Sequence, residues 1–135
     1  IYGYASSNNT LGKIDIRPIA KLKSKINYIK AIEKDESVSY CRRFISRDRM
    51  IVATVGIGYA DGVRRSLSNK GSVVIRGVKC PIIGSVCMDS FMVDITNIKD
   101  VFVGDDVYIF DNDIFAKSKE LFIICNSSLS IFLIR

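Results

Sequence analysis

The spacing of apolar residues changes several times along the chain, and each change marks an element. Residues 1–14 (IYGYASSNNTLGKI) mix Gly, Ser, Asn and Tyr without a period and read as a loop or linker. Beyond Ile16, Leu22, Ile26, Tyr28 and Ile32 occupy even positions with Lys and Asn between them, the alternation of a strand with one apolar face. Lys34, Asp35 and Glu36 form a polar turn, after which Val38 and Tyr40 fall on one face of a short extended segment. Residues 50–57 (MIVATVGI) are β-branched and apolar and predict a buried strand. GYADG at 58–62 closes that strand with a turn, because its glycines reach backbone angles other residues resist.

A polar loop (SLSNKGS) leads to residues 73–83 (VVIRGVKCPII), which predict a hairpin turning near Arg76 and Gly77. Residues 86–95 (VCMDSFMVDI) predict another strand. Residues 100–106 form a turn around Gly104, and VYIF at 107–110 forms a further strand. A helix is plausible only at 114–124. Short strands at fairly regular spacing predict a mainly β fold, a Greek-key-like barrel or sandwich.

Composition narrows the function classes. The 135 residues suit one domain and can bury a core without metals or disulfides. The chain starts at Ile1 rather than Met, which reads as a processed chain or a piece of a longer one. There is no His, so the commonest general base and the commonest metal ligand are both missing. Cys41, Cys80, Cys87 and Cys125 form no C-x-x-C pair and no disulfide framework, so no metal site is expected and a reducing cytoplasm is the expected setting. No signal peptide opens the chain, and the apolar stretch at 121–134 is too short and too broken by Asn126, Ser127 and Ser128 to span a bilayer. The formal charge of +6 reads as a solvated surface, since Lys21, Lys23 and Lys25 alternate with Leu22, Ser24 and Ile26 as the outer face of a strand.

Three places could carry chemistry. The spacing G-x-G-x-x-x-G at 56–62 fits neither a dinucleotide fingerprint nor a P-loop, and reads as a turn. Asp89 lies between Met88 and Ser90 within an apolar run; a carboxylate there needs an arginine partner, water or a functional role. Tyr40 stands near Arg42 and Arg43, and Tyr59 near Arg64 and Arg65. Tyrosine is a poor base near neutral pH, and a neighbouring guanidinium favours its phenolate. The residues alone leave catalytic and packing roles open for both.

Four segments, in this order, resemble the C-terminal domain of alanine racemases: IRPIAKLKSKI at 16–26, ESVSYCRRF at 36–44, ATVGIGYADGVRRSLSNKG at 53–71 and PIIGSVCMDSFMVDITNI at 81–98. The resemblance covers about residues 1–112, with SY followed 19 residues later by the Tyr of GYADG and then by the C-M-D segment. It divides the chain into a linker remnant at 1–14, a β-domain at 15–112 and a poorly matching tail at 113–135. The resemblance implies an isomerase that interconverts L- and D-alanine with pyridoxal 5'-phosphate and supplies D-alanine for bacterial peptidoglycan. It implies a cytoplasmic enzyme, a TIM-like cofactor barrel ahead of the β-domain, and a head-to-tail homodimer whose active sites each combine one subunit's barrel with the other's β-domain.

Residue by residue, the resemblance makes Tyr40 the catalytic base on one face of the substrate. It makes Met88 the residue whose backbone N–H holds the substrate carboxylate, and places Tyr59, Arg65 and Asp89 at the substrate entrance. Racemisation needs two bases because the proton leaves one face and returns on the other; the cofactor's lysine serves the second face. No lysine here sits in the matching motif, so no cofactor-binding residue is assigned and this chain alone is expected to be inactive. Cys41 replaces a Gly, Ser85 an Arg and Ser90 a Gln of the family pattern, and the family's closing Tyr-rich strand and R-V-P-R motif find no match. If the Gly position has a positive φ, Cys41 strains the loop that aims Tyr40. The alternatives are a non-catalytic remnant of the same family and a small basic nucleic-acid-binding β-barrel. The latter requires exposed aromatics interleaved with Lys and Arg on one face, a pattern these strands lack. Neither nucleic acid nor membrane is an expected partner.

Overall fold

A computed structural model describes residues 22–110. Its strands are β1 (Leu22–Ile32), β2 (Ser37–Val38), β3 (Phe44–Ile45), β4 (Met50–Val55), β5 (Ser72–Ile75), β6 (Val78–Ile83), β7 (Phe91–Asp94) and β8 (Asp106–Phe110). Six of them close into an antiparallel barrel in the order β1-β4-β7-β6-β5-β8, and β2 and β3 form a separate ribbon. Strands β5, β6 and β7 neighbour in sequence order and β8 returns beside β5, the Greek-key connection expected from the sequence. Closure leaves the six strands without an open edge.

The barrel is filled by β-branched residues and one aromatic. Ile26, Val55, Val73, Ile75, Phe91 and Val107 are each almost completely buried. Cys80 joins them, and burial pushes its thiol up to about 11, so it behaves as a small apolar side chain. A second apolar group, Ile32, Val38, Val52 and Ile83, lies under the β2–β3 ribbon. Full burial of a Val or Ile is worth about 1.5–3 kcal/mol. That packing holds a ribbon too short to stand alone.

The even-position alternation of β1 holds only as far as Ile26. Ile26 pairs with Val55 and Tyr28 with Thr54, so the register slips by one residue between them. A bulge of this kind flips every later side chain to the other face. Ile29 therefore packs against the barrel interior, Ile32 joins the group under the ribbon, and Tyr28 is left 59% exposed. Upstream of the bulge, Lys23 and Lys25 point outward as expected. Their Nζ atoms lie 3.0 and 3.1 Å from the Asp106 carboxylate on β8.

The hairpin turns at Arg76 and Gly77, whose φ values of 49° and 78° are those of a type I′ turn. Two other expectations require correction. Val38 and Tyr40 do not share an extended face, because the chain turns sharply at Ser39 (φ 70°, ψ 178°) into a 3-10 turn, Tyr40–Arg42. The predicted strand at 86–95 begins only at Phe91. Gly84 (φ 73°) and a tight turn in which the Cys87 amide donates to the Ser90 carbonyl at 2.8 Å release residues 84–90 from the ladder. Val86 still reaches the core from this loop, which is why the run reads as a strand. The linker at 1–14, the helix expected at 114–124 and Cys125 lie outside the described residues. Among those described, no helix is long and apolar enough to cross a membrane.

Candidate active site

Three loops meet in a cleft of about 510 Å³. The first brings Tyr40, Cys41 and Arg43; the second brings Tyr59 and Arg65; the third brings residues 85–90. All five residues singled out from the sequence, Tyr40, Tyr59, Arg65, Met88 and Asp89, line this cleft. Tyr40 is 75% exposed, and Tyr59 and Met88 are about half exposed. Large side chains left open together in a concave wall are a binding-site signature.

The second and third loops touch backbone to backbone. Gly58 enters a 3-10 turn, Tyr59–Asp61, whose amides donate across the gap: Tyr59 to the Cys87 carbonyl at 2.9 Å and Ala60 to the Met88 carbonyl at 3.0 Å. A Cβ at Gly58 would sit 2.2 Å from the Met88 oxygen and 2.4 Å from the Cys87 oxygen. Both obstacles are main chain and cannot swing aside, so this approach requires glycine. The Asp61 carboxylate accepts the Gly58 amide at 3.0 Å and closes the turn.

The first loop is held by side chains. Ser39 Oγ accepts the Ser85 amide at 3.0 Å and lies 3.8 Å from Cys87 Sγ. Asn69 reaches both the Arg43 carbonyl and the Gly84 amide, and Ser68 Oγ accepts the Val86 amide at 2.9 Å. The loop is also strained. Ser39 occupies a region of φ/ψ that is essentially glycine's alone, and Cys41 (φ 59°) and Arg42 (φ 49°) are left-handed. Such outliers each cost about 1–3 kcal/mol and gather at functional sites. The positive φ at Cys41 meets the condition under which the Gly-to-Cys departure strains the loop beside Tyr40.

The cleft presents donors and positive charge. The Met88 N–H has no acceptor among the described residues, although its carbonyl is bonded to Ala60. The Arg65 guanidinium lies over the Tyr59 ring, 5.2 Å from its centroid. Neither Arg65 nor Arg43 forms an ion pair among the described residues. An N–H without an acceptor among the described residues, in a cleft also lined by two arginines, suits a carboxylate. Asp89 is not inside a strand; it is exposed in the loop, so water meets its charge and no buried partner is needed. No lysine is among the described residues that line the cleft, and those residues do not fit pyridoxal phosphate as a covalently bound cofactor. Among the described residues no cluster of His, Cys, Asp or Glu could hold a metal ion. Sequence reasoning noted Arg43 only as a neighbour of Tyr40 and missed Ser39, Ser68 and Asn69; polar residues in loops give no sign of which other loop they reach.

A family model described as "Alanine racemase, C-terminal domain" matches residues 19–124. The chain is similar to the alanine racemase of Geobacter sulfurreducens, 45% identical over 113 residues, covering 84% of this chain and 30% of that protein. It is also similar to alanine racemase 2 of Caldanaerobacter subterraneus, 46% identical over 110 residues, covering 82% of this chain and 28% of that one. Among solved structures, the alanine racemase of Clostridium difficile 630 in complex with cycloserine superposes with a TM-score of 0.74 at 38% identity, covering 81% of this chain and 29% of that one. The alanine racemase of Bartonella henselae with covalently bound pyridoxal phosphate gives 0.74 at 30% identity, covering 85% and 33%. The chain thus spans about 30% of the length of the relatives it matches.

Proposed function

The chain belongs to the alanine racemase C-terminal domain family, and from that premise we propose that it supplies one wall of an alanine racemase active site. The observation that carries this reading is the convergence of Tyr40, Tyr59, Arg65, Met88 and Asp89 on one cleft, with the Met88 amide unoccupied by any acceptor among the described residues. In this reading the Met88 N–H holds the carboxylate of alanine, and Arg65 draws the anion in past Tyr59 and Asp89. The Tyr40 hydroxyl then lies on one face of the substrate Cα and takes or returns the α-proton there. An amino acid held by its carboxylate keeps its Cα at a fixed distance from the phenol, which is how positioning offsets the weak basicity of tyrosine.

The other face needs a second base, and the pyridoxal phosphate needs a lysine. Both belong, in this proposal, to the TIM-like barrel that the family resemblance implies ahead of this domain. The chain by itself does not racemise alanine. In the complete assembly the cleft faces the barrel of a partner subunit in a head-to-tail dimer, in the cytoplasm of a bacterium that uses D-alanine in its cell wall.

The test replaces the matching segment of a relative with this chain and measures racemisation in that hybrid. Turnover with L- and D-alanine is expected. A hybrid that folds, binds cofactor and does not turn over contradicts the proposal. One observation favours a second reading, a non-catalytic remnant: the left-handed strain at Cys41, directly beside Tyr40. The same hybrid carrying Cys41→Gly separates the two, because restored turnover assigns the defect to that residue alone.

A further inference from the structure

Asn69 spans the two loops that the proposed chemistry uses. Its Nδ2 donates to the Arg43 carbonyl at 3.0 Å, on the loop that carries Tyr40. Its Oδ1 accepts the Gly84 amide at 2.6 Å, and its own amide donates to the Gly84 carbonyl at 3.1 Å, on the loop that leads to Met88. Its φ of 55° is left-handed, a conformation that Asn tolerates better than most residues. A primary amide has a donor at one end and an acceptor at the other. It can therefore join a carbonyl of one loop to an N–H of the next, which neither a carboxylate nor a hydroxyl does at both ends with this reach. Ser68, the preceding residue, extends the clamp, accepting the Val86 amide at 2.9 Å and donating to the Arg65 carbonyl at 2.6 Å.

Resting on the functional reading above, we propose that Asn69 is a positioning residue for racemisation: it fixes the Tyr40 loop against the carboxylate-binding loop of Met88 without touching substrate. Two substitutions separate its arms. Asn69→Asp keeps the acceptor for Gly84, loses the donor, and sets a carboxylate against the Arg43 carbonyl. Asn69→Gly deletes both arms while tolerating the left-handed backbone.

The first measurement uses the chain itself, by amide NMR. In Asn69→Asp the Gly84 amide keeps its protection from hydrogen exchange, while the Phe44 nitrogen, which shares a peptide group with the Arg43 carbonyl, shifts. In Asn69→Gly both change. The second measurement uses the hybrid enzyme. Asn69→Asp lowers kcat about 10-fold or more, because misplacing a reacting group by an ångström is that costly, and leaves KM near its original value. A residue that only stabilises the fold lowers apparent kcat in step with the folded fraction, so kcat is expressed per folded, cofactor-bound hybrid, and the loss in Asn69→Asp persists after that normalisation. Equal loss of Gly84 protection in both variants, or an unchanged kcat for Asn69→Asp in an active hybrid, overturns the proposal. A hybrid inactive without substitution speaks against the functional reading alone, and the exchange pattern then decides the clamp.

Discussion

Ser39 Oγ accepts the amide of Ser85 at 3.0 Å across 46 positions of sequence, and this bond fixes the loop of Tyr40 against the wall of the cleft. Ser85 is largely buried at the edge of the cleft, so an amide stripped of this acceptor is poorly served by water. Ser39→Ala is expected to destabilise the fold by about 1–3 kcal/mol, the cost of an unsatisfied buried donor. Ser39→Gly loses the same bond but relaxes a backbone conformation that only glycine adopts readily. It is therefore expected to cost less than Ser39→Ala. Urea unfolding of the two variants checks this; equal losses contradict the backbone part of the argument.

Cys41 is the departure with the clearest physical cost. Its φ of 59° places a Cβ where the left-handed backbone crowds it. Cys41→Gly is expected to stabilise the fold by roughly 1 kcal/mol, even after allowing for the greater freedom of glycine in the unfolded chain. A lower urea midpoint for Cys41→Gly contradicts the strain. Among the described residues the exposed thiol at this position forms no disulfide.

Acid should loosen the closing strand of the barrel. The Arg76 side chain, bonded to Asp105 at 2.9 Å, and the Phe102 amide hold the Asp105 carboxyl below the usual range. Lys23, then Lys25, do the same for Asp106. A carboxyl lowered in the folded state contributes stability above its unfolded value, near 4, and that contribution is lost as pH falls through the folded value. The urea midpoint is expected to drop between about pH 5 and about pH 2. The cationic partners are exposed and the two carboxylates only partly buried, so salt reduces the effect. Arg76→Ala should flatten the acid limb. An identical pH profile for the variant and the parent contradicts the assignment.

The architecture was legible where a pattern has one physical meaning. Arg76-Gly77 between two β-branched runs reads as a tight hairpin and folds as one. The alternation of β1 misleads after Ile26 because a bulge conserves composition while reversing the faces, and nothing in Lys25, Ile26, Asn27 and Tyr28 marks it. The run at 86–95 misleads because Val86 is anchored in the core from a loop, so hydrophobicity reports its burial and conceals the turn at Cys87 and Ser90. The cleft residues were found through motif resemblance, not periodicity. The clamp of Asn69 was out of reach, since its partners at Arg43 and Gly84 come together only when the barrel closes.

The central claim is that this cleft carries the tyrosine base of a racemase whose remaining groups lie on another domain. The most direct measurement is racemisation by the hybrid enzyme with and without Tyr40→Phe, each checked for cofactor absorbance. Tyr40 is 75% exposed, so losing its hydroxyl should leave folding and cofactor binding intact. The account predicts that the unsubstituted hybrid interconverts L- and D-alanine and that Tyr40→Phe abolishes it with the cofactor still bound. Undiminished racemisation in Tyr40→Phe would contradict the account.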